Sequence, residues 1–250
     1  MTLRKAVFWG GFALLLGVSV WTVAPDPARL AAGLPRLIGW LAGSWPPDFS
    51  GAADIARRAG ETVGIATLGT LCAACLAFPL ALLATRPLSP FMALYQPARG
   101  MLDGLRGTDG FVFALLFVAA VGLGPFAGML GVALHSAGSL AKLWSESMET
   151  ADPRPTEAIT AVGGTRLQVA LFALIPQTMP QNLSHLLYVW EFNIRASTVL
   201  GLVGAGGLGQ ELKNSVDLLD CNRVLAILLV IIALTLAADR ISATLRRQLA

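Results

Sequence analysis

The stretch SESMETADPRPTEAITAVGGTRLQVALFALIP, residues 145–176, is a polar island between two long apolar runs. Glu146 and Glu149 precede Asp152-Pro153-Arg154-Pro155, where two prolines interrupt the chain because each fixes φ and lacks an N–H. TEAITAV (156–162) predicts a restarted helix with Thr156 as its N-cap. Gly163 and Gly164 predict its end, and TRLQVALFALI predicts a second helix. A solvated loop would not need caps placed this regularly. A polar helix-glycine-helix elbow projecting from an apolar bundle suits docking to another protein.

The flanks say what kind of bundle this is. Of 250 residues, 55% are hydrophobic and 13% charged, whereas a soluble domain carries about 25% charged residues. Too little charge remains to solvate a globular surface, so the composition predicts an all-α integral membrane protein. Crossing the hydrocarbon takes about 20 apolar residues, and residues 6–24, 62–84, 179–203 and 224–238 meet that need. Residues 110–141 contain no charge and are broken at GLGPFAG (122–128). Glycine and proline there mark a turn, which gives two helices if the first starts near Leu105 and the second ends near Trp144. About six transmembrane helices follow.

Lysine and arginine near the span ends set the orientation. With the amino terminus inside, Arg4, Lys5, Arg86, Arg99, Arg106, Lys142, Arg154, Arg166, Arg240, Arg246 and Arg247 fall on the cytoplasmic side. They outnumber Arg29, Arg36, Arg57, Arg58, Lys213 and Arg223 outside, so both termini are expected in the cytoplasm. The first apolar run is longer than a signal-peptide core and lacks a small-x-small cleavage site, which predicts an uncleaved anchor. Residues 1–60 then form an anchor plus an interfacial segment in which Leu30, Leu34, Leu37, Ile38 and Leu41 recur at helical spacing. Residues 61–250 form the core domain, with the elbow at about 145–176. TRPLSP (85–90) reads as a tight inner loop.

Several residues invite chemistry. Cys72 and Cys75 form CAAC inside an apolar span, which without further ligands reads as small packing residues rather than a redox or zinc pair. His135 and Ser136 are adjacent, so on a helix they point about 100° apart and do not form a nucleophile–base pair. Asp103, Arg106 and Asp109 are three apart and can pair at the cytoplasmic membrane edge. GAGGLG (204–209) matches the dinucleotide fingerprint G-x-G-x-x-G, but no acid follows before Asp239 to hold a ribose. Glu191, Asn193, Arg195, Ser197 and Thr198 place polar groups within or near the fifth span. Glu191 and Arg195 at i, i+4 share a face, either lining a path or neutralising each other. No metal, cofactor or nucleic-acid partner is expected.

The elbow resembles the cytoplasmic motif of ABC-importer permeases: Glu-Ala-Ala, three residues, Gly, nine residues, then Ile-x-Leu-Pro. Glu157, Ala158 and Ile159 stand for the first part, Gly163 follows at the right spacing, and Ala173-Leu174-Ile175-Pro176 closes it. FVAAVGLGPFAGMLGVALHSAGSLAKLW, YVWEFNIRASTVLGLVGAGGLGQEL and the last apolar span are similar, in order and spacing, to the phosphonate ABC transporter permease family. The likeness runs from about Glu61 to Leu249. One departure is Thr108-Asp109-Gly110, where such permeases carry Pro-Glu before the third span. The resemblance implies a type I importer permease in the bacterial inner membrane, working as a homodimer without enzymatic activity of its own. Cytoplasmic ABC ATPase subunits would couple through Glu157, Ala158, Gly163 and Pro176. A periplasmic solute-binding protein would deliver a phosphonate or related oxyanion. Arg195 and its neighbours would line the path, and Gly204, Gly206, Gly207 and Gly209 would form a periplasmic gate rather than a nucleotide site. Other readings are a permease for another solute (methionine, phosphite), an intramembrane hydrolase and a secondary transporter.

Overall fold

The computed structural model describes residues 2–24, 26–89 and 92–249; Pro90, which closes the TRPLSP loop, lies outside them. All regular structure among the described residues is helical. The chain divides into two compact units at Trp45 and Pro46. The first holds α1 (Thr2–Val23) and α2 (Pro27–Gly43). Asp26 caps α2 by accepting from the N–H groups of Ala28 and Arg29, and Pro27 suits the first turn because no helical donor is needed there. Leu30, Leu34, Leu37, Ile38 and Leu41 are all exposed on α2, consistent with a helix that lies on an apolar medium.

The second unit contains α3 (Ala52–Leu83), α4 (Met92–Gly107), α5 (Gly110–Val121), α6 (Pro125–Glu149), α7 (Pro153–Ala161), α8 (Arg166–Val169), α9 (Ile175–Leu200), α10 (Gly207–Asp217) and α11 (Cys221–Leu249). By length and composition, α3 and α11 can each cross a membrane, and α4 with α5 can do so as one span bent by 86°. At 25 and 26 residues, α6 and α9 are long enough but carry polar residues along their inner faces.

α6 is the central helix. Ala73, Ala77 and Ala81 of α3 pack on Ala137, Leu140 and Ala141 of α6 with Leu102 of α4. Small residues allow this closeness, and backbone proximity is what stabilises helix contacts where lipid removes the hydrophobic drive. A Cβ on Gly131 would lie 2.8 Å from the Ala114 backbone, and one on Gly138 would lie 2.9 Å from the Arg106 N. Trp144 adds a hydrogen bond from Nε1 to the Asn182 carbonyl on α9 at 3.0 Å.

The break in the uncharged stretch falls at Gly122–Gly124, as expected, and α6 runs past Trp144. The helix before it differs. Asp109 turns back to accept from the Phe111 N–H at 2.8 Å and caps α5, so α5 starts at Gly110 rather than near Leu105. Asp103 pairs with Lys142 at 3.1 Å. The expected Asp103–Arg106–Asp109 pairing therefore does not form, and Arg106 sits opposite Gly138, midway along α6, rather than at the end nearest the elbow. Cys72 and Cys75 are exposed on α3 and do not serve as packing residues within this chain.

Candidate functional site

In the elbow, Asp152 rather than Thr156 caps α7, accepting from the Arg154 N–H at 3.0 Å. Pro153 at the first helical position makes that start natural. Hydrogen bonds from the Arg154 guanidinium and backbone hold the Asp152 carboxyl below the usual carboxylate range. At the other end Gly163 has φ +80°, and its N–H donates to the Thr160 carbonyl at 3.0 Å while Gly164 N–H donates to Ile159 at 2.9 Å. This is the left-handed termination that glycine makes cheaply. Thr165 and Gln168 then form a reciprocal capping box on α8. A π-helical turn over Ala170–Leu174 passes the chain into α9, with the Ile175 N–H reaching back to Ala170.

No residue of α7 is buried, so Glu157 and Ala158 are presented outward. Beside them Val162 is 85% and Phe172 71% exposed. Both line a cavity of about 330 Å³ with Gly163 and Gln168. Pro176 lies apart from this face, in the first turn of α9. Behind the elbow, Leu88, Met148, Val169 and Leu174 form a small core to which Ile159 adds.

Glu149 secures that support, and sequence reading missed it. Its carboxylate accepts from the Arg86 N–H at 2.9 Å, the Tyr95 hydroxyl at 3.3 Å and the Arg99 guanidinium at 2.5 Å. Arg99 also lies over the Tyr95 ring and donates to the Ala84 carbonyl. One acid thus ties the ends of α3, α4 and α6 together directly above the elbow.

Glu191 is only 7% exposed and bridges two cations, Arg195 at 3.1 Å and Arg246 of α11 at 3.3 Å. Arg195 itself is 49% exposed and lines a cavity of about 360 Å³ with Phe111, His135, Phe192 and Val199. Asn193 reaches the same cavity, but its amide donates to Thr70 Oγ1 at 2.8 Å and meets Ser136 Oγ at 2.9 Å. Ser197 is fully buried and donates to the Asn193 carbonyl, and Thr198 donates to Ile194. Asn193→Leu is expected to lower stability by about 1–2 kcal/mol. Each interhelical hydrogen bond in a membrane contributes about 0.6 kcal/mol, and the Ser136 hydroxyl would lose its partner. Thermal unfolding of the detergent-solubilised protein measures this, and an unchanged midpoint would show that the α3–α6–α9 triad does not hold the bundle.

The glycine hexapeptide is a packing device. Gly204, Gly206 and Gly207 all have positive φ, and the Gly204 carbonyl accepts from the Gly124 N–H at 2.9 Å. The start of α10, where a phosphate would sit in a nucleotide fold, already faces the Glu61 carboxylate. The Gly207 N–H donates to Glu61 Oε2 at 3.2 Å and the Leu208 N–H to Thr62 at 2.8 Å. Arg57 and Arg58 hold Glu61 in place. His135 Nδ1 lies 2.9 Å from the Thr108 carbonyl, which can only accept, so that nitrogen carries the proton and the ring is not paired with Ser136.

A helical membrane bundle with an outward-facing polar elbow at one end and a cavity along α9 lined by Arg195 is the architecture of a solute-translocating membrane subunit. Residues 77–250 match the family of binding-protein-dependent transport system inner membrane components, and the chain belongs to that family. It is 44% identical over 232 residues to the putative phosphite transport system permease protein HtxC of Stutzerimonas stutzeri, spanning 93% of this chain and 82% of that one. It is 40% identical over 225 residues to the phosphate-import permease protein PhnE of Mycolicibacterium smegmatis, which is 90% of this chain and 42% of the longer relative. Among solved structures, the MetNI methionine ABC transporter in an inward-facing conformation shares the fold. Its TM-score is 0.69 at 19% identity, over 78% of this chain and 96% of that one.

Proposed function

We propose that this chain is the permease subunit of an ATP-driven importer for phosphite, a phosphonate or a related phosphorus oxyanion. The observation that carries the reading is the 44% identity, across 93% of the chain, to a permease named for phosphite. Relatives named for phosphate and phosphonate add the same tetrahedral oxyanion chemistry. Two copies form the pore, and both termini lie in the cytoplasm. A separate ATPase subunit docks on each elbow through Glu157, Ala158 and the apolar surface of Val162 and Phe172. A solute-binding protein delivers substrate at the outer glycine turn, Gly204 to Gly209.

Arg195 lowers the barrier for the anion, and buried Glu191 fixes its rotamer. A charged hydrogen bond contributes about 1.5–3 kcal/mol, so Arg195→Ala is expected to reduce uptake by about tenfold or more. Arg195→Lys keeps the charge but loses the planar fork and should retain part of the activity. The test is ATP-dependent uptake of labelled phosphite by the complete complex in proteoliposomes. Full uptake by Arg195→Ala at normal expression removes the residue from the path. Uptake driven by an ion gradient without ATP overturns the assignment as a whole.

A further inference from the structure

A second cavity lies along the same face of α9. Its volume is about 230 Å³ and its wall includes Arg106, His135, Ser139, Tyr188 and Phe192. The cavity beside Arg195 is also lined by His135 and Phe192, so the two spaces adjoin at these side chains along one groove-like face. On α9 the residues Tyr188, Phe192, Arg195 and Val199 are spaced four, three and four apart and are all exposed, which is the pattern of a single helix face. Arg195 is nearer the glycine turn, and Arg106 is farther along, opposite the middle of α6.

We propose that Arg106 is a second anion station. A tetrahedral oxyanion admitted at Arg195 passes Phe192 and is received by the Arg106 guanidinium, with the Ser139 and Tyr188 hydroxyls in the same cavity. This deepens the function proposed above and rests on it for the identity of the substrate. The argument begins with charge. Arg106 has an acid on each side at helical spacing, yet Asp103 is engaged by Lys142 and Asp109 by the α5 amino terminus. Among the described residues no acid pairs with its guanidinium, and Arg106 lines the groove. A cation at membrane depth is costly unless it faces water or a counter-ion, and a groove that carries an anion supplies both. The other charges nearby do not cancel it. Asp109 lines the outer cavity but caps the positive end of α5, and Lys142 is shared between Asp103 and Glu146.

The test reads the potential in the inner cavity without using substrate. In full-length protein in native membranes, with Cys72, Cys75 and Cys221 replaced by serine, Ser139→Cys is introduced. The thiol is then treated with a negatively or a positively charged methanethiosulfonate. Relative to its rate with a free thiol in solution, the anionic reagent is expected to react faster than the cationic one, and Arg106→Gln should reduce the anion-to-cation rate ratio by about tenfold or more, while Arg106→Lys preserves most of it. A ratio unmoved by Arg106→Gln overturns the station. So does a normalised rate that is higher for the cationic reagent with Arg106 intact, a result that needs no Arg106 variant to fold. An Arg106-dependent ratio in a transporter that takes up no phosphorus oxyanion upholds the station and retires the substrate. Phosphite uptake with an unmoved ratio does the reverse.

Discussion

Gly209→Ala is expected to deplete the folded protein, with a loss of stability on the order of 3 kcal/mol or more, because overpacking against backbone has no cheap relaxation. A Cβ on Gly209 would lie 1.7 Å from the Thr198 carbonyl oxygen, 2.8 Å from its carbon and 3.0 Å from Gly201 Cα. None of these atoms is the end of a side chain that could rotate away. Gly201 meets the same crowding from the other direction, with its Cβ position 2.5 Å from the Gln210 N and 2.6 Å from the Gly206 oxygen. The end of α9 and the start of α10 therefore touch backbone to backbone. An added methyl must push α10 off the bundle, breaking the Leu208–Thr62 bond and the Gly207–Glu61 bond. Total stability of a folded protein is about 5–15 kcal/mol, so such a loss is large. Thermal unfolding and size-exclusion profiles of the solubilised protein measure it. Gly60→Ala, inside α3 and with nothing within 4 Å, is the control and should be neutral or slightly stabilising, since alanine favours the helix. Wild-type folding of Gly209→Ala would mean that the α9–α10 contact is not close in the membrane.

The sequence made this turn readable as glycine-dependent packing but could not say which backbone each glycine meets. That depends on Leu123 and Pro125 of the α5–α6 turn and on Thr62 of α3. The elbow was more legible, since capping residues and the glycine pair act within a few positions. Its start was misplaced because Asp152 and Thr156 are both good caps, and Pro153 favours the earlier one. The support behind the elbow was not legible at all. Glu149 finds Arg99 50 residues away and the Arg86 N–H 63 residues away, and no local pattern announces either partner. At Arg106 the period of three pointed to an ion-pair cluster, which holds only if one helix runs through Thr108 and Asp109. Capping by Asp109 ended that helix and separated the charges. For Glu191 the pairing with Arg195 was readable at i, i+4, but the second cation, Arg246, comes from α11.

Gly163→Pro is expected to disconnect ATP hydrolysis from uptake, with transport reduced by about tenfold or more while protein accumulation stays near normal. The native φ at this position is +80°, whereas proline is locked near −65°. The ring also removes the N–H that closes the turn on Thr160. Because no residue of α7 is buried, its direction is set by this turn, the Asp152 cap and the apolar contact through Ile159. Loss of the turn leaves the helix in place but aims Glu157 and Ala158 elsewhere. The polar support beneath keeps its contacts, since Glu149 and its partners lie on other elements. Gly163→Ala retains the N–H and costs about 1–2 kcal/mol for the left-handed conformation, so it should give a milder version of the same defect. Hydrolysis and uptake measured together in proteoliposomes distinguish the cases. Lost uptake with hydrolysis that no longer responds to substrate supports a rigid lever. Normal uptake with normally stimulated hydrolysis in Gly163→Pro would mean that force reaches the pore by another contact.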